Sequence, residues 1–217
     1  MALCSRFPIA ALFLLGAIAA PAQQSAPIVQ PGAPGQPGKL LTEATVRAPS
    51  KAPFNADVEF MQGMIMHHQQ AVDMVALLRT RGKSPVLQSF GQKISISQSD
   101  EIRFMKQWLE SRGKPTTMEM DHSHMSAADM KNMNMLMPGM LTPEQMATLA
   151  KARGAQFDHL FLTGMIQHHG GALTMVDELF KTPGAAQDPA LFDFATDIDA
   201  TQSAEIEIMR GMLKEKP

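Results

Sequence analysis

Residues 57–78 read DVEFMQGMIMHHQQAVDMVALL, and residues 158–179 read DHLFLTGMIQHHGGALTMVDEL. Both copies hold Gly-Met-Ile-x-His-His, then Ala, then Met-Val, at one constant offset. An internal repeat is read first, because it fixes how the remaining elements can pair. On a helical wheel of about 100° per residue, Phe60, His67, His68, Ala71, Met74, Val75 and Leu78 surround Met64. That arc is roughly 140° wide. In the second copy Phe161, His168, His169, Ala172, Met175, Val176 and Leu179 surround Met165 in the same way. The positions that differ (Gln62/Thr163, Met66/Gln167, Gln69/Gly170, Gln70/Gly171 and Asp73/Thr174) fall on the other side. One face is kept and one drifts. The kept face is apolar, so the four histidines are expected to point inward.

For Phe60, Ala71, Val75 and their counterparts an inward position means core packing. The histidines allow two readings. They can be core side chains satisfied by hydrogen bonds, or ligands. Imidazole and thioether both bind soft or borderline transition metals. Met64, His67 and His68 stand at i, i+3 and i+4, the spacing that brings side chains together on a helix. Gly63, repeated as Gly164, sits inside the helix at a cost of about 1 kcal/mol relative to Ala, which suggests a close backbone approach there.

The first helix is expected to start with Asn55 as N-cap and to end near Arg81-Gly82, with Asp57 and Glu59 favoured in its first turn. Ser84-Pro85 opens a second helix running to about Arg112-Gly113. Its inward arc holds Leu87, Phe90, Ile94, Gln98, Glu101, Ile102, Met105 and Leu109. Asp188-Pro189 opens another helix in the same way, and a constant offset maps that arc onto Leu191, Phe194, Ile198, Gln202, Glu205, Ile206, Met209 and Leu213. The repeat is therefore a whole helical hairpin. Gln98, Glu101, Gln202 and Glu205 interrupt apolar stripes, which is costly unless they find partners. They suit either of two roles: holding the free N–H of a ligand histidine, or interhelical hydrogen bonding.

The connection 114–154 separates hairpins 55–113 and 155–215. Its TTMEMDHSHMSAADMKNMNMLMPGM carries Met118, Met120, His122, His124 and Met125 among further methionines, and Thr142-Pro143-Glu144 looks like the start of a short helix ending at Gly154. A connection this long is functional or disordered. Thioethers and imidazoles on a flexible segment suit capture of Cu(I) or Ag(I), and the bland reading is an oxidation-prone linker.

Composition narrows the class. The 217 residues carry a net charge of −2 with no basic run, so nothing marks a nucleic-acid partner. Of 19 methionines all but Met1 lie between Met61 and Met212, and all seven histidines lie between His67 and His169. Residues 1–22 read as an export signal, with Arg6 ahead of an apolar Ile9–Ala20 and Ala20-Pro21-Ala22 as cleavage site. The alternative is an uncleaved anchor, but the apolar run is short for a membrane span. Cys4 would leave with the signal, so the mature chain would have no thiol and any soft-metal site would use thioether and imidazole. An oxidising export compartment, periplasmic or extracellular, suits that choice. Residues 23–54, rich in Pro, Gly and Gln, read as a disordered tether.

Gly63-Met64-Ile65-x-His67-His68-x-x-Ala71-x-x-Met74, its repeat at 164–175, and MPGMLTPEQM at 137–146 resemble the domain of unknown function 305 family. Some of its members are exported copper-binding proteins of the CopM type. The resemblance spans roughly Asn55 to Leu213. It implies a ferritin-like four-helix bundle over 55–217 and binding of Cu(I), Cu(II) or Ag(I) in copper tolerance. By motif position it makes Met64, His67, His68, Met74, Met165, His168, His169 and Met175 the candidate ligands. Met118, Met120, His122, His124 and Met125 are weaker candidates.

The expectation is thus an exported all-α protein, two antiparallel hairpins packed into one bundle with a Met-rich crossover. It would bind copper, with silver as a second ion, for sequestration, transfer or tolerance. Its partners would be the metal ion and a copper exporter or other copper-handling protein, with no nucleic acid and no membrane for the mature chain. Two competitors remain. One is a structural or partner-binding module with core histidines. The other is a di-iron oxidase, which wants Glu from two helices and Glu-x-x-His from two more. Here the inward carboxylates are Glu101 and Glu205, neither followed by His three residues later, so no enzymatic role is expected.

Overall fold

The computed structural model describes residues 28–30, 39–41, 54–118 and 136–214. The chain divides into two units, Met1–Lys51 and Ala52–Pro217. In the first, β1 (Ile28–Gln30) pairs antiparallel with β2 (Lys39–Leu41), Val29 opposite Leu40. This hairpin lies within the tether and was not expected from its composition. The proposed signal segment 1–22 lies outside the described residues.

Among the described residues of the second unit every regular element is a helix: α1 (Asn55–Arg81), α2 (Pro85–Glu110), α3 (Pro143–Lys151), α4 (Gly154–Lys181) and α5 (Pro189–Lys214). Pro85 occupies the first turn of α2, and the Ser84 hydroxyl accepts from Leu87 N at 3.2 Å. Asp188 does the same for α5, accepting from Leu191 N at 3.1 Å. The short α3 has a full capping box between Thr142 and Gln145 and stops at Lys151, three residues before the expected Gly154. Asn55 is not the N-cap of α1. Phe54 holds that position without a side-chain bond, and Asn55 is already helical.

α1 packs on α2, α4 on α5, and α1 on α4. The buried apolar residues form two groups. One joins the start of α1 (Phe60, Met64) to the end of α2 (Met105, Leu109), the end of α4 (Met175, Leu179) and the start of α5 (Leu191, Ile198). The other joins the complementary halves: Val75 and Leu78, Leu87 and Ile94, Phe161 and Met165, Ile206 and Met209. This arrangement makes α1 antiparallel to both α2 and α4, and α4 antiparallel to α5. Between the two groups lies the level of His67, His68, Gln98, His168, His169 and Gln202. All six are buried.

The repeat also locks its own turns. Asp158, first residue of the second copy, accepts from Lys83 N and Ser84 N at 3.0 Å in the α1–α2 turn. Asp57, first residue of the first copy, accepts from Ala186 N at 2.7 Å in the α4–α5 turn, where Ala186 has φ +54°. Each copy thus satisfies backbone donors in the turn of the other hairpin, donors that would otherwise cost free energy if buried unpaired.

The faces that drift between copies are not idle. Gln62 is buried and donates to Pro115 O and Thr117 O at 2.8 and 3.0 Å, holding the exit of α2 against α1. Gln70 donates to Leu141 O and accepts from Leu141 N, at 2.9 and 2.7 Å. At the equivalent Gly171, a β-carbon would stand 1.8 Å from Pro138 O, so only Gly admits the Pro138-Gly139 backbone. The close backbone approach expected at Gly63 and Gly164 occurs here instead. Those two glycines are covered by side chains.

Candidate metal centre

The helical wheel places the four histidines inward, and each is fully buried, as are Met64, Met74 and Met165; Met175 is 7% exposed. Every imidazole uses Nε2. His68 Nε2 lies 2.5 Å from Glu101 Oε2 and His169 Nε2 lies 2.6 Å from Glu205 Oε2. His67 Nε2 donates to Pro138 O at 3.0 Å, and His168 Nε2 donates to His67 O at 2.8 Å. Because all four partners are oxygen acceptors, the proton belongs on Nε2. All four Nδ1 atoms are buried without a hydrogen-bond partner among the described residues. Nδ1 is therefore the atom left free to donate a lone pair.

The two copies meet here. The rings of His67 and His168 lie 3.8 Å apart between centroids, inclined at 39°. Within each copy the adjacent rings are farther apart, at 6.3 and 6.1 Å. Methionines cross over as well. A β-carbon on Gly63 would be 3.4 Å from Met175 Cε, and one on Gly164 would be 3.3 Å from Met74 Cε. Each of these thioethers reaches the opposite repeat, one helical turn before its histidine pair. Spacing along one helix could not reveal that exchange.

Burial dominates the electrostatics. It lowers the His67 pKa from 6.5 to about 3, helped by the neighbouring His68 and opposed by the Pro138 carbonyl. Burial also pushes His168 well below its usual value, with His67 and His169 adding to the shift. Burial raises Glu101, but hydrogen bonding and charge from His68, with the Ser97 hydroxyl at 2.8 Å, leave its pKa below the ordinary carboxylate value.

Glu101 and Glu205 thus hold histidine N–H groups across adjacent helices, a geometry that fits both roles expected of them. Gln98 and Gln202 take neither role. Both amide atoms of each are buried and have no partner among the described residues. Neither glutamine comes within bonding range of an imidazole, because each lies a turn before the carboxylate that does. Among the described residues no three His, Cys, Asp or Glu side chains are grouped to hold a metal ion. The centre as folded offers one cross-repeat histidine pair, His67 and His168, with thioethers of Met175 and Met74 at Gly63 and Gly164 one turn earlier. Of the weaker candidates, Met118 lies half-buried against Gly63, while Met120, His122, His124 and Met125 fall outside the described residues.

Fold and site together define a helical protein whose core is divided by a layer of buried histidines, two of them paired with carboxylates. The chain matches the family described as Domain of unknown function (DUF305) over residues 57–213, and it belongs to that family. Among solved structures it is similar to a DUF305 fragment from Deinococcus radiodurans, at 28% identity and TM-score 0.63, covering 76% of this chain and all of that one. A candidate secreted DUF305 protein from Streptomyces coelicolor gives 28% and 0.62, covering 74% and 93%. CopM in its Cu(I)-bound form gives 27% and 0.55, covering 73% and 95%. CopM was also solved with Cu(II) and with Ag. A comparison with curated protein sequences returns no match.

Proposed function

We propose that this protein is an exported copper-binding protein that sequesters or transfers copper, with silver as a second ion, through His and Met ligands. The observation that carries this reading is the set of four buried Nδ1 atoms with no partner among the described residues, each on a ring whose Nε2–H is already engaged. A carboxylate on the far nitrogen orients a metal-binding imidazole and raises its basicity, and Glu101 and Glu205 stand in that position. The ligands would come from His67, His68, His168 and His169, with the thioethers of Met64, Met74, Met165 and Met175. The copper- and silver-bound forms of the similar CopM support the choice of ion. We read the helices as a ferritin-like four-helix bundle of two repeated hairpins, working outside the cytoplasm beside a copper exporter or another copper-handling protein. No helix among the described residues is long and apolar enough to cross a membrane. No enzymatic role is proposed.

The test is a His67→Gln/His68→Gln/His168→Gln/His169→Gln variant, in which an amide can still donate to Glu101 and Glu205. Cu(II) uptake, measured by competition against a chelator, should be lost while far-UV circular dichroism stays helical. Unchanged copper stoichiometry and affinity in the helical variant would remove the reading. One observation favours a purely structural role: the rings of His67 and His168 lie in direct contact, and among the described residues no three-residue ligand group is preformed. In that case added copper would leave the melting temperature where it is.

A further inference from the structure

Gly63 and Gly164 are equivalent in the repeat but not in what covers them. A β-carbon on Gly164 would meet Leu141 Cδ2 at 3.0 Å and Met74 Cε at 3.3 Å. A β-carbon on Gly63 would meet three methionines: Met118 Cε at 3.3 Å, Met137 Sδ at 3.3 Å and Met175 Cε at 3.4 Å. Where one half uses a leucine, the other brings two further thioethers from segments outside the repeat. Both are placed by specific contacts. Gln62 holds Pro115 and Thr117 on α1, which delivers Met118. His67 holds the carbonyl of Pro138, which delivers the adjacent Met137.

Packing alone would be served by leucine, as at Gly164. Thioether side chains differ from leucine in carrying a soft donor atom on three rotatable bonds. With their ends gathered around one point, small rotations turn sulfur toward it. The cluster is also reachable, since half-buried Met118 lines an open pocket with Asn55, Glu59, Gln62 and Lys114. Gly63 lies one turn before His67 on the same face of α1. The geometry points to a soft-cation site formed by Met118, Met137 and Met175, which takes monovalent Cu(I) or Ag(I) at the rim and stands next to the buried histidine layer. It rests on the soft-metal reading above and adds an all-sulfur site for the monovalent ion that shares Met175 with the histidine centre.

Silver(I) is the probe, because it has no competing redox step. In the full chain labelled with methyl-13C methionine, the first equivalent of Ag(I) should shift the methyl signals of Met118, Met137 and Met175 together. Single Met→Leu variants assign those signals. The Met118→Leu/Met137→Leu variant, which leaves Met175 in place, should lose one Ag(I) equivalent and keep its Cu(II) uptake; the swap nearly conserves volume and is expected to fold. The proposal falls if Ag(I) saturates the methionines of 119–135 while these three signals stay fixed. It falls equally if the folded double variant binds the same number of silver ions. Should the three signals move while Cu(II) is not bound at all, the thioether site stands and the histidine centre fails.

Discussion

Gln98 and Gln202 each bury a primary amide that finds no partner among the described residues, and a polar group stranded in this way costs about 1–3 kcal/mol. Gln98→Leu and Gln202→Leu should therefore raise the stability of the metal-free protein, by up to that amount, in urea unfolding. A loss of stability would mean that the amides have partners the described residues do not contain. The histidines act in the opposite sense as pH falls. His67 and His168 take up protons in the unfolded chain near pH 6.5, but burial keeps them neutral in the folded one. Unfolding then binds protons, so stability is full above that value and declines as pH drops from 6.5 towards about 3. The slope is about 1.4 kcal/mol per pH unit for each histidine that titrates only when unfolded. Glu101, whose pKa is depressed, adds a loss of the same sign as pH falls through the carboxylate range. Urea midpoints that stay flat between neutral pH and pH 5 would contradict the buried neutral state of these rings.

Among the elements, the crossover segment 137–141 depends on a single missing side chain. Gly171→Ala would drive a β-carbon into Pro138 O, displacing the backbone that accepts from His67. The expected cost is about 2–4 kcal/mol, as for overpacking onto rigid backbone together with a lost buried hydrogen bond. The equivalent change Gly170→Ala, where nothing lies within 4 Å, should be neutral or stabilising, since helical Ala is favoured by about 1 kcal/mol. Equal melting temperatures for the two variants would show that the crossover does not seat there. The start of α5 has its own dependence. Asp188 caps Leu191 N and also accepts from Trp108 Nε1 at 3.2 Å and from Arg112, so Asp188→Ala should cost roughly 1–3 kcal/mol by thermal unfolding. The helices themselves were legible because their signals are local: Ser84-Pro85, Asp188-Pro189, and an inward arc written twice. The partners of Gln62, Gln70 and Gly171 were not, since each lies across a long stretch of chain and leaves no periodic trace. The fused loss of symmetry read as drift. The same limit hid the pairing of Met175 with Gly63, while polar partners for Glu101 and Glu205 could be anticipated because both carboxylates repeat within apolar stripes.

For the whole molecule, a ligand that binds only the folded state must raise stability, by about 2.7 kcal/mol at a free concentration one hundred times Kd. Copper at that excess should raise the melting temperature of the wild-type chain and leave the four-histidine variant unmoved. The polar layer between the two apolar groups gives that shift a structural address, since α1, α2, α4 and α5 each contribute to both sides of it. The crossover carries a different implication. Two copies of one hairpin could in principle assemble as a symmetric pair, each offering the same face. Here a single strap of chain lies across both, gripped by Gln70 in one copy and admitted by Gly171 in the other. A chain with glutamine at both positions would block the strap, and one with glycine at both would not grip it. The two halves are therefore not interchangeable: neither offers both the grip of Gln70 and the clearance of Gly171, and an isolated hairpin is expected not to rebuild this core by pairing with itself.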